Sequence, residues 1–154
     1  MARIKVGVLR GGPSSEYDVS LQTGGAVLAN LGEKYDAQDF FIDKSGQWHH
    51  RGRPTDPARA LNQVDVVFNA LHGEYGEDGE VQRLLDSYGV PYTGSGPLAS
   101  ALAMNKLRSK EIAESLGFKT ARHMLVDLTR DTEEQAKEMY YTMFQPFVVK
   151  PVAL

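Results

Sequence analysis

The sequence predicts an α/β fold, an open and mostly parallel sheet flanked by helices, and three observations support this. Two near-continuous apolar runs, "IKVGVL" at 4–9 and "VDVVFNAL" at 64–71, are typical of strands buried on both faces. Both runs stop at glycine-rich segments. Helix-like segments alternate with the strand candidates over the first hundred residues, which is the order that builds a parallel sheet covered by helices.

The elements between these two runs follow in chain order. A helix is predicted at about 16–31, and "FFI" at 40–42 is a further strand candidate. The stretch "SGQWHHRGRPTDPAR" at 45–59 is expected to be turn and loop, because glycine and proline punctuate it. Its adjacent pair His49 and His50 is expected to be solvated surface.

The helix after the second run has the clearest periodicity. Apolar side chains recur at i, i+3, i+4 and i+7, and Gly89 provides a stop. These residues are Val81, Leu84, Leu85 and Tyr88. A short strand, a turn and a helix beginning at Pro97 are predicted next.

The pattern changes near Asn105, so we divide the chain into a first domain at 1–104 and an incomplete second piece at 105–154. "NKLRSKEIAESLG" predicts a charged helix ending at Gly117, and "DTEEQAKEMYYTMF" predicts another helix with one apolar face. "ARHMLVD" at 121–127 and "PFVVKP" at 146–151 are predicted strands. About fifty residues are few for a free-standing core.

Composition excludes several classes of function. The net charge of −3 disfavours nucleic acid as a general partner, and the absence of cysteine removes thiolate nucleophiles and cysteine-bound zinc. No stretch approaches the roughly 18 apolar residues of a membrane helix. We therefore expect a cytoplasmic protein that binds neither nucleic acid nor membrane.

The segment "GGPSSEYDVS" places the acidic residue Glu16 where a helix begins, just after the first strand. Ligands of open α/β sheets bind beyond the carboxyl ends of strands. Gly11 and Gly12 would let a ligand approach backbone N–H groups there. A carboxylate at that point repels phosphate and suits an ammonium group or a zwitterion. The alternative is that Glu16 only caps the helix.

The second glycine-rich segment, "ALHGEYGEDGEVQ", contains His72 and four acidic residues. Such a cluster after a strand could serve acid–base chemistry or hold a metal, but acidic residues are also common at helix starts. A structural role for His72 remains open, and we interpret Asp78 as a helix cap.

Two lysines are candidate phosphate ligands. Lys106 opens a predicted helix, where a cation is unfavourable unless an anion is present, and Lys150 ends the apolar run "FVVK". The alternative for each is a surface lysine whose stem covers apolar neighbours.

Three motifs follow one another along the chain: "LRGGPSSEYDVSL", "ALHGEYGEDGEVQRLL" followed by "GVPYTGSG", and "ASALAMNKLRSK", with "VVKP" after them. In this order they resemble the N-terminal half of the D-alanine–D-alanine ligase family of ATP-grasp enzymes, which has "VVKP" at the same place. The resemblance implies a Rossmann-like pre-ATP-grasp domain followed by the start of an ATP-grasp subdomain. It also implies ligation of two D-alanines through a D-alanyl phosphate for peptidoglycan precursor synthesis.

The resemblance also implies roles for individual residues. Glu16 would hold the ammonium of the first D-alanine and act as the catalytic residue, and Ser20 and His72 would lie at the substrate. Lys106 and Lys150 would bind the phosphates of ATP. ATP and Mg²⁺ are the implied cofactors, with magnesium ligands beyond residue 154, and a homodimer through the first domain is the implied assembly.

Departures from the family pattern limit what the chain is expected to do. Asn105 stands where many relatives have aspartate, and Pro13 lies in the first glycine-rich segment. After "VVKP" the family continues with a loop over ATP, whereas this sequence reads "VAL". We expect these 154 residues to show no ligase turnover alone. The alternative function is a non-catalytic amino-acid-binding domain of the same fold.

Overall fold

A computed structural model describes residues 2–153 of the chain. Contacts between Cα atoms divide it into an N-terminal unit that ends at Asn105 and a C-terminal unit at Lys106–Ala153. The N-terminal unit has five strands: β1 (Ile4–Gly11), β2 (Tyr35–Ile42), β3 (Trp48–His50), β4 (Arg53–Pro54) and β5 (Val66–Asn69). Its helices are α1 (Tyr17–Asn30), α2 (Pro57–Leu61), α3 (Glu80–Ser87) and α4 (Pro97–Met104).

The strands form one sheet in the order β4-β3-β2-β1-β5. The central strand β1 pairs in parallel with β2, Ile4 opposite Tyr35, and with β5, Val6 opposite Val66. The β2–β3 and β3–β4 pairings are antiparallel and short. The predicted α/β class and the parallel pairing of the long strands are therefore confirmed.

Helices cover both faces of this sheet, as the continuous apolar runs predict. On one face Val6, Val8 and Ala70 pack against apolar side chains from the end of α1. On the other face Leu9, Phe40 and Val67 belong to a larger buried cluster with side chains of α2 and α3. Full burial of one such side chain stabilises the fold by about 1.5–3 kcal/mol.

The helix boundaries follow the signals in the sequence closely. Val81 and Leu85 on α3 are fully buried, and Gly89 follows the helix at a φ of 64°. Pro97 is the first residue of α4. Tyr88 departs from the predicted apolar face, because it lies past the end of α3 and is 44% exposed.

The segment at 45–59, expected to be turn and loop, contains a hairpin and a short helix. Asp43 accepts hydrogen bonds from the N–H groups of Ser45 and Gln47, which closes a tight turn and returns the chain along β2. The indole of Trp48 is thereby buried.

The expectation of a solvated histidine pair is also wrong. His49 lies 2.9 Å from the carboxylate of Asp43, and the ring of His50 packs edge-on against Phe40 at 4.9 Å between centroids. Both residues are half-buried. Burial, together with the charge of Arg51, lowers the pKa of His50.

The C-terminal unit contains α5 (Lys106–Ser115) and α6 (Thr132–Thr142). Asp131 caps α6 by accepting the N–H of Glu134. The strands predicted at 121–127 and 146–151 are absent from the described residues. A strand needs a neighbour whose backbone completes its ladder, and these two segments do not pair; Pro146 and Pro151 also lack the N–H that a ladder uses.

The short strand predicted before Pro97 is reduced to one isolated bridge between Val67 and Tyr92. Across residues 2–153, none of the helices has the length and apolar character needed to cross a membrane.

Candidate amino-acid site at the end of the central strand

The direction of strand order reverses at β1, because the chain passes from β1 to β2 on one side and later reaches β5 on the other. In open α/β sheets the ligand crevice lies at such a reversal, outside the carboxyl ends of the two strands. Two loops leave the sheet there. We name residues 11–16 the glycine loop and residues 70–79 the histidine loop.

The glycine loop does not offer its first N–H groups to a ligand, contrary to the expectation from sequence. The Gly11 N–H donates to Ser20 Oγ at 2.8 Å, and the Gly12 N–H donates to the Ile42 carbonyl at 2.8 Å. Both glycines have a φ above 90°. Their conformational freedom therefore serves a sharp turn whose backbone groups are bonded within the protein.

Glu16 stands at the N-cap position of α1, yet its side chain makes no capping hydrogen bond. Its backbone N–H donates to Ser14 Oγ at 2.9 Å. No donor within residues 2–153 reaches its carboxylate, which is exposed. An exposed carboxylate without a protein partner is suited to a ligand cation, and the alternative of a side-chain cap is not supported because the capping hydrogen bond is not formed.

Ser20 lies in the first turns of α1 and is completely buried. Its hydroxyl accepts the Gly11 N–H and donates to the Ala70 carbonyl at 2.8 Å. The bond therefore joins the end of β1 to the start of the histidine loop. Direct contact between Ser20 and a substrate stays a prediction; the observed contacts make it a residue that fixes the separation of the two loops.

His72 lies in the histidine loop and is bonded across to α1. Its Nε2 is 2.9 Å from Thr23 Oγ1, and its Nδ1 is 4.0 Å from Glu77 Oε1. The other oxygen of Glu77 accepts the Gly73 N–H at 2.7 Å. The imidazole is thus held by a hydrogen bond at Nε2, whereas Nδ1 has no neighbour at hydrogen-bond distance among residues 2–153, and about a third of the side chain remains exposed.

Several short bonds stiffen the histidine loop. Asp78 accepts N–H bonds from Tyr75 at 2.7 Å and from Glu80, the first residue of α3, at 2.8 Å. The N-cap position itself is occupied by Gly79, so the interpretation of Asp78 as the cap is displaced by one residue. The Gly76 carbonyl accepts two side-chain amides, from Asn69 at 2.9 Å and Gln82 at 2.8 Å.

Tyr75 anchors this loop to the core. It adopts a φ of 68°, which is rare for a non-glycine residue, and its hydroxyl accepts the indole N–H of Trp48. Burial raises the pKa of Tyr75 above its ordinary value.

The two loops come into contact at Gly73. A Cβ atom added there would lie 2.7 Å from Ser14 Oγ and 3.2 Å from Glu16 Oε2. The Glu16 carboxylate is therefore close to the residue that follows His72, and the two loops that carry the predicted residues meet at Gly73.

Lys106 and Lys150 belong to the C-terminal unit. The Lys106 N–H donates to the Val152 carbonyl at 2.8 Å, so the start of α5 lies beside the segment that carries Lys150. Neither side-chain ammonium has a hydrogen-bond or ion-pair partner among the residues that the structure describes. A lysine at the positive end of a helix, such as Lys106, favours a bound anion.

Residues 2–153 contain no group of three or more acidic or histidine side chains placed to hold a metal ion. The site residues present do not fit a magnesium centre, and we assign no magnesium ligand to this chain.

Sequence reasoning missed two residues of this site, Thr23 and Gly73. Thr23 follows Ser20 by three positions and shares its face of α1. The helical spacing of two hydroxyl residues after Glu16 was the available signal for Thr23. For Gly73, which directly follows His72, the signal was a glycine at the point where two loops must approach each other closely.

Comparison with known proteins supports the fold and the ancestry. A family model described as the D-ala D-ala ligase N-terminus matches residues 5–60 and 49–95, which together exceed half of the chain. Curated relatives include D-alanine–D-alanine ligases from Geobacter sulfurreducens, 45% identical over 148 residues, and from Ectopseudomonas mendocina, 44% identical over 147 residues. Each alignment covers 96% of this chain and 43% of the relative, so the chain spans less than half the length of these ligases.

Solved structures give the same picture. The VanG D-Ala:D-Ser ligase from Enterococcus faecalis is 29% identical with a TM-score of 0.73, and the match covers 99% of this chain and 53% of that one. The D-alanine–D-alanine ligase from Coxiella burnetii shares the fold with a TM-score of 0.76, at 24% identity over 91% of this chain and 50% of its own. The chain therefore belongs to the D-alanine–D-alanine ligase family and corresponds to the N-terminal portion of its members.

Proposed function

We propose that this chain is the substrate-binding part of a cytoplasmic ligase that joins two D-alanines with ATP for peptidoglycan precursor synthesis. The observation that carries the proposal is the Glu16 carboxylate. It is exposed, makes no capping hydrogen bond to α1, and lies next to the histidine loop at the point where the strand order reverses. An amino acid brings an ammonium group to which this carboxylate is complementary.

The chain's residues would divide the work by charge. Glu16 and His72 would bind the first D-alanine, with Ser20 fixing the loops that carry them. Lys106 and Lys150 would neutralise the phosphates of ATP, which otherwise repel an attacking carboxylate. Such chemistry depends on positioning and charge stabilisation more than on a protein nucleophile.

The reaction would proceed in two steps. A carboxylate oxygen of the first D-alanine bonds to the γ-phosphorus as the bond to ADP breaks, giving D-alanyl phosphate. The amine of the second amino acid then attacks the acyl carbon, loses a proton, and phosphate leaves. We expect no turnover from residues 1–154 alone, and the predicted division into a domain at 1–104 and an incomplete one at 105–154 accounts for this. A homodimer through residues 1–104 stays a prediction, tested by light scattering.

The test uses two forms of the protein. The first is the chain itself, titrated with D-alanine and with L-alanine by ¹H–¹⁵N NMR. The second is a chimera of this chain with the part of the Geobacter sulfurreducens ligase that lies beyond its matched region. We expect the chimera to form D-alanyl-D-alanine and release phosphate with MgATP, and the chain alone to bind D-alanine without turnover.

Glu16→Gln is the decisive variant. Loss of a charged hydrogen bond to the ammonium should weaken D-alanine binding about 10- to 100-fold, while stability changes by less than about 0.5 kcal/mol because the carboxylate has no protein partner. Glu33→Gln, the same change at another exposed position, is the matched control. Equal affinity in the Glu16 variant would refute the ammonium role. D-alanine binding by the chain, with no dipeptide from a folded chimera, would favour the alternative of a non-catalytic binding domain.

A further inference from the structure

The contact between Thr23 and His72 occupies one ring nitrogen, Nε2, and bears on which of the two nitrogens carries the proton. Thr23 lies on α1, one turn after Ser20, and is half-buried. Its hydroxyl is 3.0 Å from the Val19 carbonyl, which can only accept, and 2.9 Å from His72 Nε2. The hydroxyl therefore has two neighbours and must donate to one of them.

A threonine hydroxyl has a single proton. Both contacts can be hydrogen bonds at once only if Thr23 donates that proton to the Val19 carbonyl, in which case Nε2 carries the ring proton and Thr23 Oγ1 accepts it. The hydrogen-bond network thus assigns the Nε2–H tautomer to neutral His72.

In this tautomer Nδ1 keeps its lone pair. Its neighbour Glu77 Oε1, 4.0 Å away, is an acceptor beyond hydrogen-bond distance, and within residues 2–153 no donor is bonded to Nδ1. The adjacent residue Gly73 lies against the Glu16 carboxylate. An ammonium group near Gly73 would meet a carboxylate and a neutral ring nitrogen, both of which accept hydrogen bonds.

We propose that Thr23 is a positioning residue that holds His72 with Nδ1 as an acceptor, so that the ammonium of the first amino acid is bound by both Glu16 and His72. This inference rests on the proposed function and deepens it. It assigns Thr23 a role through His72, without contact to the substrate. It also makes the recognised group a primary ammonium with at least two N–H donors.

Ring ¹⁵N spectra of the chain test the inference without any turnover. His72 is identified by the signals lost in His72→Gln. We expect Nε2 to carry the proton in the unmodified chain and in Thr23→Ser, which keeps the hydroxyl. Titration with D-alanine should shift the Nδ1 signal more than the Nε2 signal. A proton on Nδ1 would overturn the proposal.

Thr23→Val removes the hydroxyl and nearly preserves the shape of the side chain. We expect it to lose the hydrogen-bonded Nε2–H signal and to bind D-alanine about 3- to 10-fold more weakly, the effect of one neutral hydrogen bond, while Thr23→Ser retains the original affinity. Fluorescence of Trp48, the single tryptophan, verifies that each variant folds. Unchanged affinity in Thr23→Val, or a Ser variant as weak as the Val variant, would contradict the positioning role.

The two proposals fail in different ways. If the unmodified chain and the chimera bind no D-alanine, the proposed function fails, and with it the part of the inference that places a D-alanine ammonium at His72 Nδ1. The ring spectra still decide whether Thr23 sets the tautomer. If D-alanine binds and only the Thr23 variants behave otherwise than expected, the proposed function stands and the role of Thr23 is refuted.

Discussion

At the scale of single residues, the site depends on contacts that keep the glycine loop and the histidine loop close together and still leave the Glu16 carboxylate open to a ligand. Gly73 has no side chain, so its backbone, at a φ of 68°, lies directly against the side chains of Ser14 and Glu16 in the glycine loop. The Ser20 hydroxyl donates its proton to the backbone carbonyl of Ala70 in the histidine loop. The Glu16 carboxylate remains available because the bonds that shape the glycine loop involve other groups.

Gly73→Ala should therefore disturb the site as well as the fold. Alanine at this position would have to keep the left-handed backbone conformation of Gly73, which costs a residue with a Cβ atom roughly 1–2 kcal/mol. Its methyl group would also displace the Ser14 hydroxyl and the Glu16 carboxylate. We expect lower stability in urea unfolding and weaker D-alanine binding by NMR titration.

Gly46→Ala is the matched control for this substitution. Gly46 has a φ of 84°, but an added Cβ there meets nothing within 4 Å. The control should lose comparable stability and keep its affinity for D-alanine. Equal affinity in both variants would show that the loops do not need this close approach.

The residues of the site were predictable to different degrees. Glu16 and His72 could be found because each follows an apolar strand and carries charge or a titratable ring. The role of Ser20 could not, because its bonds to Gly11 and Ala70 join positions that are distant in sequence. The partner of His72 depends in the same way on the packing of α1 against the histidine loop.

At the scale of elements, strands and helices with strong local patterns were predictable, and those made by tertiary pairing were not. The apolar runs of β1 and β5 and the helical spacing of apolar residues in α3 match the faces that these segments bury, so each could be recognised from its own local pattern. The strand β3 is three residues long and exists because it pairs with β2. The same dependence explains why the apolar segments at 121–127 and 146–151 are not strands.

The β2–β3 turn gives a pH-dependent prediction. Hydrogen bonds from the Ser45 hydroxyl and from His49 hold the pKa of Asp43 well below its ordinary value. A lowered folded-state pKa stabilises the fold at pH values above the unfolded pKa, about 3.9, and this contribution is lost as the pH falls through the folded-state pKa. Asp43→Asn should therefore be less stable than the unmodified chain at neutral pH.

The stability difference between Asp43→Asn and the unmodified chain should shrink below about pH 4. Urea unfolding followed by Trp48 fluorescence measures it, since Trp48 lies on the affected hairpin. Asp36→Asn on β2 is the control, because no described residue donates to the Asp36 carboxylate. A difference that stays constant from neutral to acidic pH would show that the turn does not depend on the charge of Asp43.

At the scale of the whole molecule, the two units differ sharply in what they bury. Every fully or nearly fully buried apolar side chain among residues 2–153 belongs to the N-terminal unit, and in the C-terminal unit only Gln135 is buried. Large apolar side chains there remain exposed, including Leu128 at 95% and Phe144 at 86%. Exposed apolar surface of this kind marks an interaction surface, and local stability follows apolar burial.

Hydrogen exchange should reveal this difference within the 154-residue chain. We expect the amides of α6 to exchange far faster than those of α1, although both are regular helices of similar length, 11 and 14 residues. The N-terminal unit should retain protected β1 and β2 amides in the same experiment. In the ligase chimera the exchange of α6 should slow, because the remaining part of the enzyme would cover the exposed apolar side chains. Equal protection of α1 and α6 in the chain alone would show that the C-terminal unit is stable without that cover.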